Sequence, residues 1–128
     1  MTPGRSDLTA EPSSAPTALA IVNARVWTGD PRRPWADAVF LRAGRIETVG
    51  SSAEVRKRSG AATKVIDAKG LVIQHPRESG VLAPGAPADL MLVDRPLGTV
   101  GQGAPNDAEI VLAIESGRIV TDRDALGR

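Results

Sequence analysis

Short apolar runs separated by glycine, proline and aspartate recur along most of this chain, and their spacing strongly limits the possible folds. The first run, residues 19–27, is rich in valine and isoleucine and ends before Pro31, which has no N–H to donate to a sheet. Similar runs follow at residues 38–42, 45–49, 65–66, 71–73, 90–93, 110–114 and 118–121. Many short strands at close spacing predict a mainly β fold, a small antiparallel β-sandwich or barrel-like domain.

Three glycine-containing turns predict how neighbouring strands are connected. Residues 43–44 leave a two-residue spacing that predicts a β-hairpin with Gly44 at positive φ. Residues 67–70 predict a second hairpin, with Gly70 in the turn. Residues 115–117 predict a last hairpin near the end of the chain, because a polar Ser-Gly turn is compatible with reversal.

One short helix is predicted between the strands at residues 45–49 and 65–66. Ser51 and Glu54 have the spacing of a capping box, in which each side chain binds a free N–H of the first turn. The cations at residues 56–58 and the glycine at Gly60 are typical of a helix end. This basic cluster is explained by the helix and requires no ligand.

The length of 128 residues fits one small domain. Proline, serine, threonine and alanine dominate residues 1–18, which contain too few large apolar groups to offset the entropy of ordering, so we expect a flexible leader there. We expect residues 19–124 to form a single composite β domain from an N-terminal segment, 19–73, and a C-terminal segment, 80–124. Residues 125–128 are a tail.

Composition argues against several classes of partner. With 16 basic and 15 acidic residues, the formal charge is +1, too small for a strong field toward nucleic acid or anionic lipid. One phenylalanine and two tryptophans give few platforms for stacking bases. There is no cysteine, no signal-peptide pattern and no apolar run long enough to cross a membrane. We therefore expect a cytoplasmic protein that binds neither nucleic acid nor membrane.

Two groups of segments resemble the two ends of one known domain. AIVNARVWTG (residues 20–29), LRAGRIETVG (41–50) and VIDAKGLV (65–72) resemble, in order and spacing, the opening of the small β domain of metal-dependent amidohydrolases. GVLAPGAPADLMLVD (80–94) is similar to the segment that re-enters that domain, and IESGRIV (114–120) resembles its final hairpin. The resemblance covers most of the chain and implies the same composite β fold.

What lies between these groups departs from the family. In the resembled enzymes a catalytic (β/α)8 barrel of roughly 250 residues lies between the two segments and carries the metal ligands. Here only residues 74–79 separate Ile73 from Gly80. The resemblance therefore implies that the barrel is missing, and none of the family's metal ligands, catalytic residues or cofactors is carried over to this chain.

The remaining candidates for chemistry have ordinary structural explanations. His75 is the single histidine, and a catalytic zinc site normally takes three protein ligands, so we expect a surface-loop imidazole. We expect Asp89 to accept backbone hydrogen bonds beside the loop at residues 84–85. Ser59, Ser79 and Ser116 show no plausible His/Asp pairing in the sequence, so no serine nucleophile is predicted. No catalytic, cofactor-binding or metal residue is predicted.

Two functional hypotheses from different classes follow. The first is a non-catalytic accessory β domain, lacking the barrel, that acts as a structural or interaction module. The second is an amidohydrolase-like hydrolase, acting on carbon–nitrogen bonds other than peptide bonds, that is active only with a separate barrel polypeptide or at a site between copies. The absent barrel would leave a surface uncovered, so we expect either an apolar patch or a homodimer.

Overall fold

The computed structural model describes residues 18–77, 80–100 and 102–123, and it is mainly β with one short α-helix, as the sequence predicts. The predicted tail and all of the predicted leader except Ala18 lie outside these residues; Ala18 is the first residue of a strand. The strands are β1 (Ala18–Val22), β2 (Arg25–Trp27), β3 (Trp35–Ala36), β4 (Ala38–Arg42), β5 (Arg45–Gly50), β6 (Thr63–Asp67), β7 (Val72–Gln74), β8 (Leu90–Val93), β9 (Ile110–Glu115) and β10 (Arg118–Asp122). Helix α1 is Ser52–Arg58, and a 3₁₀ turn covers Leu97–Thr99.

The strands form two sheets that share a core. The six-stranded sheet has the order β10-β9-β8-β7-β2-β3, and the four-stranded sheet has the order β5-β4-β1-β6. Each sheet is mixed, because β2 runs parallel to β7 and β1 runs parallel to β6, while the other pairs are antiparallel. The described strands close no barrel, and two sheets pack on one core; each sheet contains one parallel pair, whereas the sequence predicts antiparallel strands.

The prediction of one continuous strand over residues 19–27 is wrong, because the chain changes sheets at Asn23. This residue has a φ of 57°, a left-handed conformation that asparagine tolerates better than most residues. Its N–H donates to the Ser52 hydroxyl (2.9 Å), and the Ala24 N–H donates to the Asp37 carbonyl (2.9 Å). The kink thus satisfies its backbone groups while directing β1 and β2 into different sheets.

The hairpin predicted at residues 67–70 is also wrong, although the turn is present. β6 pairs with β1 and β7 pairs with β2, so the two strands flanking the turn lie in different sheets. Gly70 has a φ of 83°, and its N–H donates to the Asn23 carbonyl (2.8 Å). The turn at residues 67–70 is bonded to the kink at Asn23, and its flanking strands β6 and β7 do not pair with each other. The chain therefore crosses from one sheet to the other here.

The Asp67 carboxylate begins this crossing. The Lys69 N–H donates to Asp67 Oδ1 (2.8 Å). This backbone hydrogen bond is the largest cause that lowers the pKa of Asp67 below its usual value, and a hydrogen bond from the Asn23 side chain is the second. Because the folded pKa is lowered, the stabilisation is present above about pH 4 and is lost as the pH falls through the folded pKa. We expect Asp67→Asn to flatten the acid side of the stability curve, measured by urea unfolding at each pH.

A charge-removing variant distinguishes the backbone hydrogen bond from the charge of Lys69. Lys69→Ala keeps the N–H that binds Asp67, so an NMR titration of this variant should still give a lowered carboxyl pKa. A pKa that returns to the ordinary range in Lys69→Ala would show that charge, not the backbone donor, is responsible.

The other two predicted hairpins are confirmed. Ala43 and Gly44 have φ values of 54° and 76° between β4 and β5. Ser116 and Gly117 have values of 51° and 79° between β9 and β10. Two consecutive positive φ values define the type I′ turn, whose twist matches that of the strands it joins.

The predicted helix is confirmed, with a different ending. Ser51 is the N-cap, and its hydroxyl accepts the N–H of Glu54 (3.1 Å). At the other end, Ser59 is extended with a φ of −77°, and its hydroxyl donates to the Val55 carbonyl (3.1 Å). The serine therefore ends the helix before the glycine is reached. Val55 is buried against the outer side of the four-stranded sheet.

Residues of both sequence segments build the core between the sheets. The opening segment contributes Leu19, Ile21, Val26, Val39, Leu41, Ile46, Ile66 and Ile73, and the returning segment contributes Leu82, Ala88, Leu90, Leu92, Leu112 and Ile114. In the six-stranded sheet, β8 of the returning segment pairs with β7 of the opening segment. Whether this shared core makes the chain one cooperative unit remains a prediction.

The connection after β8 packs against buried polar groups of the six-stranded sheet. Arg95 has a side chain only 9% exposed, and its Nη1 donates to the Oε1 of buried Gln74 (3.3 Å). Its Nε donates to the Thr99 hydroxyl (3.1 Å) and lies 3.8 Å from a carboxylate oxygen of Glu109. The guanidinium thereby satisfies an otherwise unfavourable buried amide oxygen.

Candidate functional site

The short junction between the two segments is residues 74–80, of which the structure describes 74–77 and 80. β7 ends at Gln74, and the Gly80 N–H donates to the Arg77 carbonyl (3.0 Å). The Leu82 N–H then donates to the Thr28 carbonyl (2.7 Å). Leu82 is thereby held beside Thr28, the residue that follows β2.

Two glycines allow the backbones at this junction to approach closely. Gly29 has a φ of 77°, and a Cβ placed on it would lie 2.6 Å from the Gly80 carbonyl oxygen. A Cβ on Gly80 would overlap the imidazole of His75. Neither glycine therefore has space for a side chain in this arrangement.

An open polar groove lies beside the junction at one end of the six-stranded sheet. Its volume is about 480 Å³, and it is lined by His75, Pro76, Arg77, Asp89, Glu115 and Ser116. These residues meet because β7 and β9 end where β8, running antiparallel to both, begins. The groove brings together three of the sequence candidates, His75, Asp89 and Ser116.

The hydrogen bond made by His75 defines its role in the groove. The half-buried ring accepts the Arg77 N–H at Nδ1 (2.9 Å). When the ring is neutral, its own proton is therefore assigned to Nε2. The imidazole stabilises the turn and covers Gly80, so its position has a structural explanation.

Asp89 accepts a backbone hydrogen bond, as predicted. Its Oδ1 accepts the Ser116 N–H (2.9 Å) in the last hairpin. The Gly117 N–H of the same turn donates to the carbonyl of Ala88 (3.1 Å). The two residues before β8 thus hold the final turn in place through two hydrogen bonds.

The groove contains a serine, a histidine and an aspartate without the hydrogen bonds of a catalytic triad. Such a triad needs the carboxylate to orient the imidazole at Nδ1. Here Nδ1 of His75 is bound by the Arg77 N–H, and Asp89 Oδ1 is bound by the Ser116 N–H. Ser59 lies at the end of α1, away from the groove, and Ser79 lies outside the described residues.

A metal centre is not assembled in the part of the chain that the structure describes. No group of three or more histidine, cysteine, aspartate or glutamate side chains is placed to hold an ion there.

Sequence reasoning did not include Arg77 and Glu115 in this groove. The only sequence signal for them was adjacency to His75 and Ser116.

Comparisons with known proteins give partial structural likenesses. No protein-family model and no curated protein matches the chain. The chain is similar to a metal-dependent hydrolase from Pyrococcus furiosus (19% identity, TM-score 0.43) over 47% of its own length and 13% of that protein. An enamidase described as a member of the amidohydrolase superfamily shows 27% identity and a TM-score of 0.41, over 47% of this chain and 16% of that protein.

A shorter protein from Bacillus thuringiensis is similar as well. It shows 29% identity and a TM-score of 0.41, over 45% of this chain and 76% of its own length. The chain thus spans a small part of the first two proteins and most of the third. Parts of metal-dependent hydrolase and amidohydrolase structures resemble about half of this chain.

Proposed function

We propose that this chain is a non-catalytic accessory β domain of amidohydrolase type, without the metal-binding barrel, that serves as a structural or interaction module. The observation that carries the proposal is the junction at residues 74–80. On either side of its undescribed residues the Gly80 N–H donates to the Arg77 carbonyl, and β8 of the returning segment pairs directly with β7 of the opening segment. A domain closed in this way has its core without an inserted barrel.

The chemistry of the groove supports a non-catalytic role. Its imidazole accepts a backbone N–H at Nδ1 and its aspartate accepts one at Oδ1, so both side chains have a structural role. A hydrolytic metal site would also need several ligands and an open position for water. His75 and Asp89 stabilise turns, which is a structural role.

A hydrolase acting on carbon–nitrogen bonds other than peptide bonds is the second candidate, restricted to a complex. The groove is open to solvent and presents Glu115 beside His75 and Asp89. Groups from a separate barrel polypeptide or from another copy of the chain would have access to it. This candidate requires a second polypeptide chain for any activity.

The proposed module works with another protein chain, either a second copy or a barrel polypeptide. We place this role in the cytoplasm because the chain has no cysteine to support a disulfide framework. Within the described residues, no helix has both the length and the apolar character to cross a membrane.

The isolated chain is expected to have no metal-dependent hydrolase activity. Metal-stripped protein is titrated with zinc, manganese or cobalt, and both stoichiometry and turnover of amide and cyclic-amide substrates are measured. We expect no tightly bound ion and no turnover. His75→Ala is expected to leave this result unchanged and to lower the free energy of unfolding by about 0.5–1.5 kcal/mol, because Arg77 loses a hydrogen-bond acceptor.

The same assay separates the two candidates. One ion per chain with turnover abolished by His75→Ala would reject the non-catalytic role. An ion bound at one per two chains, with activity that rises as the square of concentration, would instead support a site between copies. Ser59→Ala is the matched control, because it changes a serine outside the groove.

A further inference from the structure

The connection between β8 and β9 forms a surface loop whose two ends meet. The structure describes residues 94–100 and 102–109 of it, and we call these described residues the strap. The Asp94 N–H, directly after β8, donates to the carbonyl of Glu109, directly before β9 (2.7 Å). Compact surface loops whose ends lie close together are Ω-loops, and the strap has this form. It can therefore move without separating the strands that it joins.

The outer face of the six-stranded sheet carries buried residues, although it points away from the core between the sheets. Ile73 belongs to that core, so its neighbours on β7, Val72 and Gln74, point to the outer face. Val93 of β8 pairs with Val72 and therefore lies on the same face. Val72, Gln74 and Val93 are only 2%, 3% and 0% exposed. These three residues therefore have a cover on the outer face.

The side chain of Arg95 places the strap on this face. Its Nη1 donates to Gln74 Oε1 (3.3 Å) and to the Gly103 carbonyl (3.4 Å), and its Nε donates to the Thr99 hydroxyl (3.1 Å). Thr99 and Gly103 are thereby gathered around a guanidinium that itself lies against the sheet. One side chain thus holds the middle of the strap over the Gln74 amide.

The strap buries little of itself. Leu97 is its largest aliphatic side chain and is 51% exposed, and apart from the Arg95 side chain its described residues are exposed or half-buried. The backbone N–H groups of residues 99, 100 and 102 bond carbonyls only three positions earlier. Near its end, Arg123 Nη1 donates to the Ala108 carbonyl (2.7 Å). Segments with few buried apolar contacts open at low free energy, so the strap should open far more easily than the sheet beneath it.

We propose that the strap is a conformational device, an intramolecular cover that opens locally while both sheets stay folded, with Arg95 as its lock. Opening breaks the hydrogen bond between Arg95 and Gln74 and uncovers the pair formed by Val72 and Val93. Water then satisfies the guanidinium and the amide, so opening leaves no buried polar group unpaired. The closed strap keeps an apolar surface out of water, and the open strap exposes it.

Amide exchange in the unaltered chain tests for local opening. The Val100 N–H lies in the strap, and the Leu92 N–H lies in β8, which is paired on both sides. Exchange at Val100 should depend weakly on urea, because local opening exposes little surface, whereas exchange at Leu92 should rise steeply with urea through global unfolding. Identical urea dependence at the two amides would show that strap and sheet open together, and this result overturns the proposal. The outcome does not depend on the metal and turnover results.

Arg95→Met tests the lock. The bond to Gln74 is absent from the open state and from the unfolded state alike, so exchange at Val100 and at Leu92 should accelerate by the same factor, about tenfold or more. Acceleration at Leu92 alone would show that Arg95 stays bound when the strap opens, which overturns its role. Arg118→Met is the matched control, because Arg118 is an exposed arginine on β10, and it should leave both rates unchanged.

The apolar dye 8-anilinonaphthalene-1-sulfonate identifies the surface that opening exposes. Without urea, Arg95→Met should bind more dye than the unaltered chain, because its strap is open more often. Adding Val72→Thr should reduce this gain, since a hydroxyl makes the uncovered face less apolar. A gain that Val72→Thr leaves unchanged would place the exposed surface elsewhere and overturn the assignment of the covered face. If Arg95→Met fails to fold, the urea dependence of exchange in the unaltered chain still decides whether the strap opens locally.

Discussion

Truncation of Ile46 or Leu92 to alanine is expected to lower the free energy of unfolding by about 2–5 kcal/mol in each case. Ile46 lies on β5 in the opening segment, and Leu92 lies on β8 in the returning segment; both are buried in the core between the sheets. Each truncation removes apolar contacts and leaves a cavity that the neighbours fill only in part. These are among the largest effects expected for single substitutions in this chain.

The same two variants test whether the segments fold as one unit. Because both side chains belong to one core, thermal unfolding monitored by circular dichroism should show one transition, shifted to lower temperature in both variants. Val120→Ala is the control, since an exposed side chain should change stability by no more than about 0.5 kcal/mol. Two resolved transitions, each sensitive to only one of the truncations, would show that the halves are separate subdomains.

Gly29→Ala is expected to destabilise the protein by about 2–5 kcal/mol, because it combines backbone strain with a steric clash. The added Cβ would sit at a φ of 77° and 2.6 Å from the Gly80 carbonyl oxygen. Relieving that contact requires movement of Gly80, which also lies against the His75 ring. The variant therefore measures how much stability depends on closing the junction.

Gly70→Ala is the matched control for Gly29→Ala. Gly70 has a similar φ of 83°, but an added Cβ there meets no atom within 4 Å. Its expected cost is the backbone strain alone, about 1–2 kcal/mol. Equal destabilisation by the two variants in urea unfolding would mean that the junction yields easily and that the close approach of Gly29 to Gly80 contributes little.

Local features of the fold were predictable from sequence because neighbouring residues determine them. Ala43-Gly44 and Ser116-Gly117 form the predicted hairpin turns. Glycine favours positive φ, and each two-residue turn joins two strands that pair directly with each other. Ser51 caps the predicted helix through a bond three residues away. Each of these outcomes depends on a few adjacent residues.

The crossing at residues 67–70 was mispredicted because its partners are distant in sequence. A turn containing Gly70 is compatible with either a hairpin or a passage between sheets. The hydrogen bonds to Val22 and Asn23 select the passage, and these residues lie more than 40 positions earlier in the chain. Parallel pairing of β6 with β1 is likewise a long-range contact that local propensity does not encode.

In the candidate groove, too, some features follow from the sequence and others only from the tertiary structure. Sequence alone identified His75, Asp89 and Ser116 one by one and explained why a single histidine makes a poor zinc site. It also showed that only residues 74–79 separate two segments that resemble the ends of one domain. Those conclusions follow from which residues are present and how far apart they stand.

Only the tertiary structure brought these three residues together and assigned their hydrogen bonds. β8 lies between β7 and β9 and is antiparallel to both. The ends of β7 and β9 and the start of β8 therefore lie at the same end of the six-stranded sheet. There the Arg77 N–H donates to His75 Nδ1 and the Ser116 N–H donates to Asp89 Oδ1. Composition determines which groups exist, whereas strand order and backbone hydrogen bonding decide which of them remain available for chemistry.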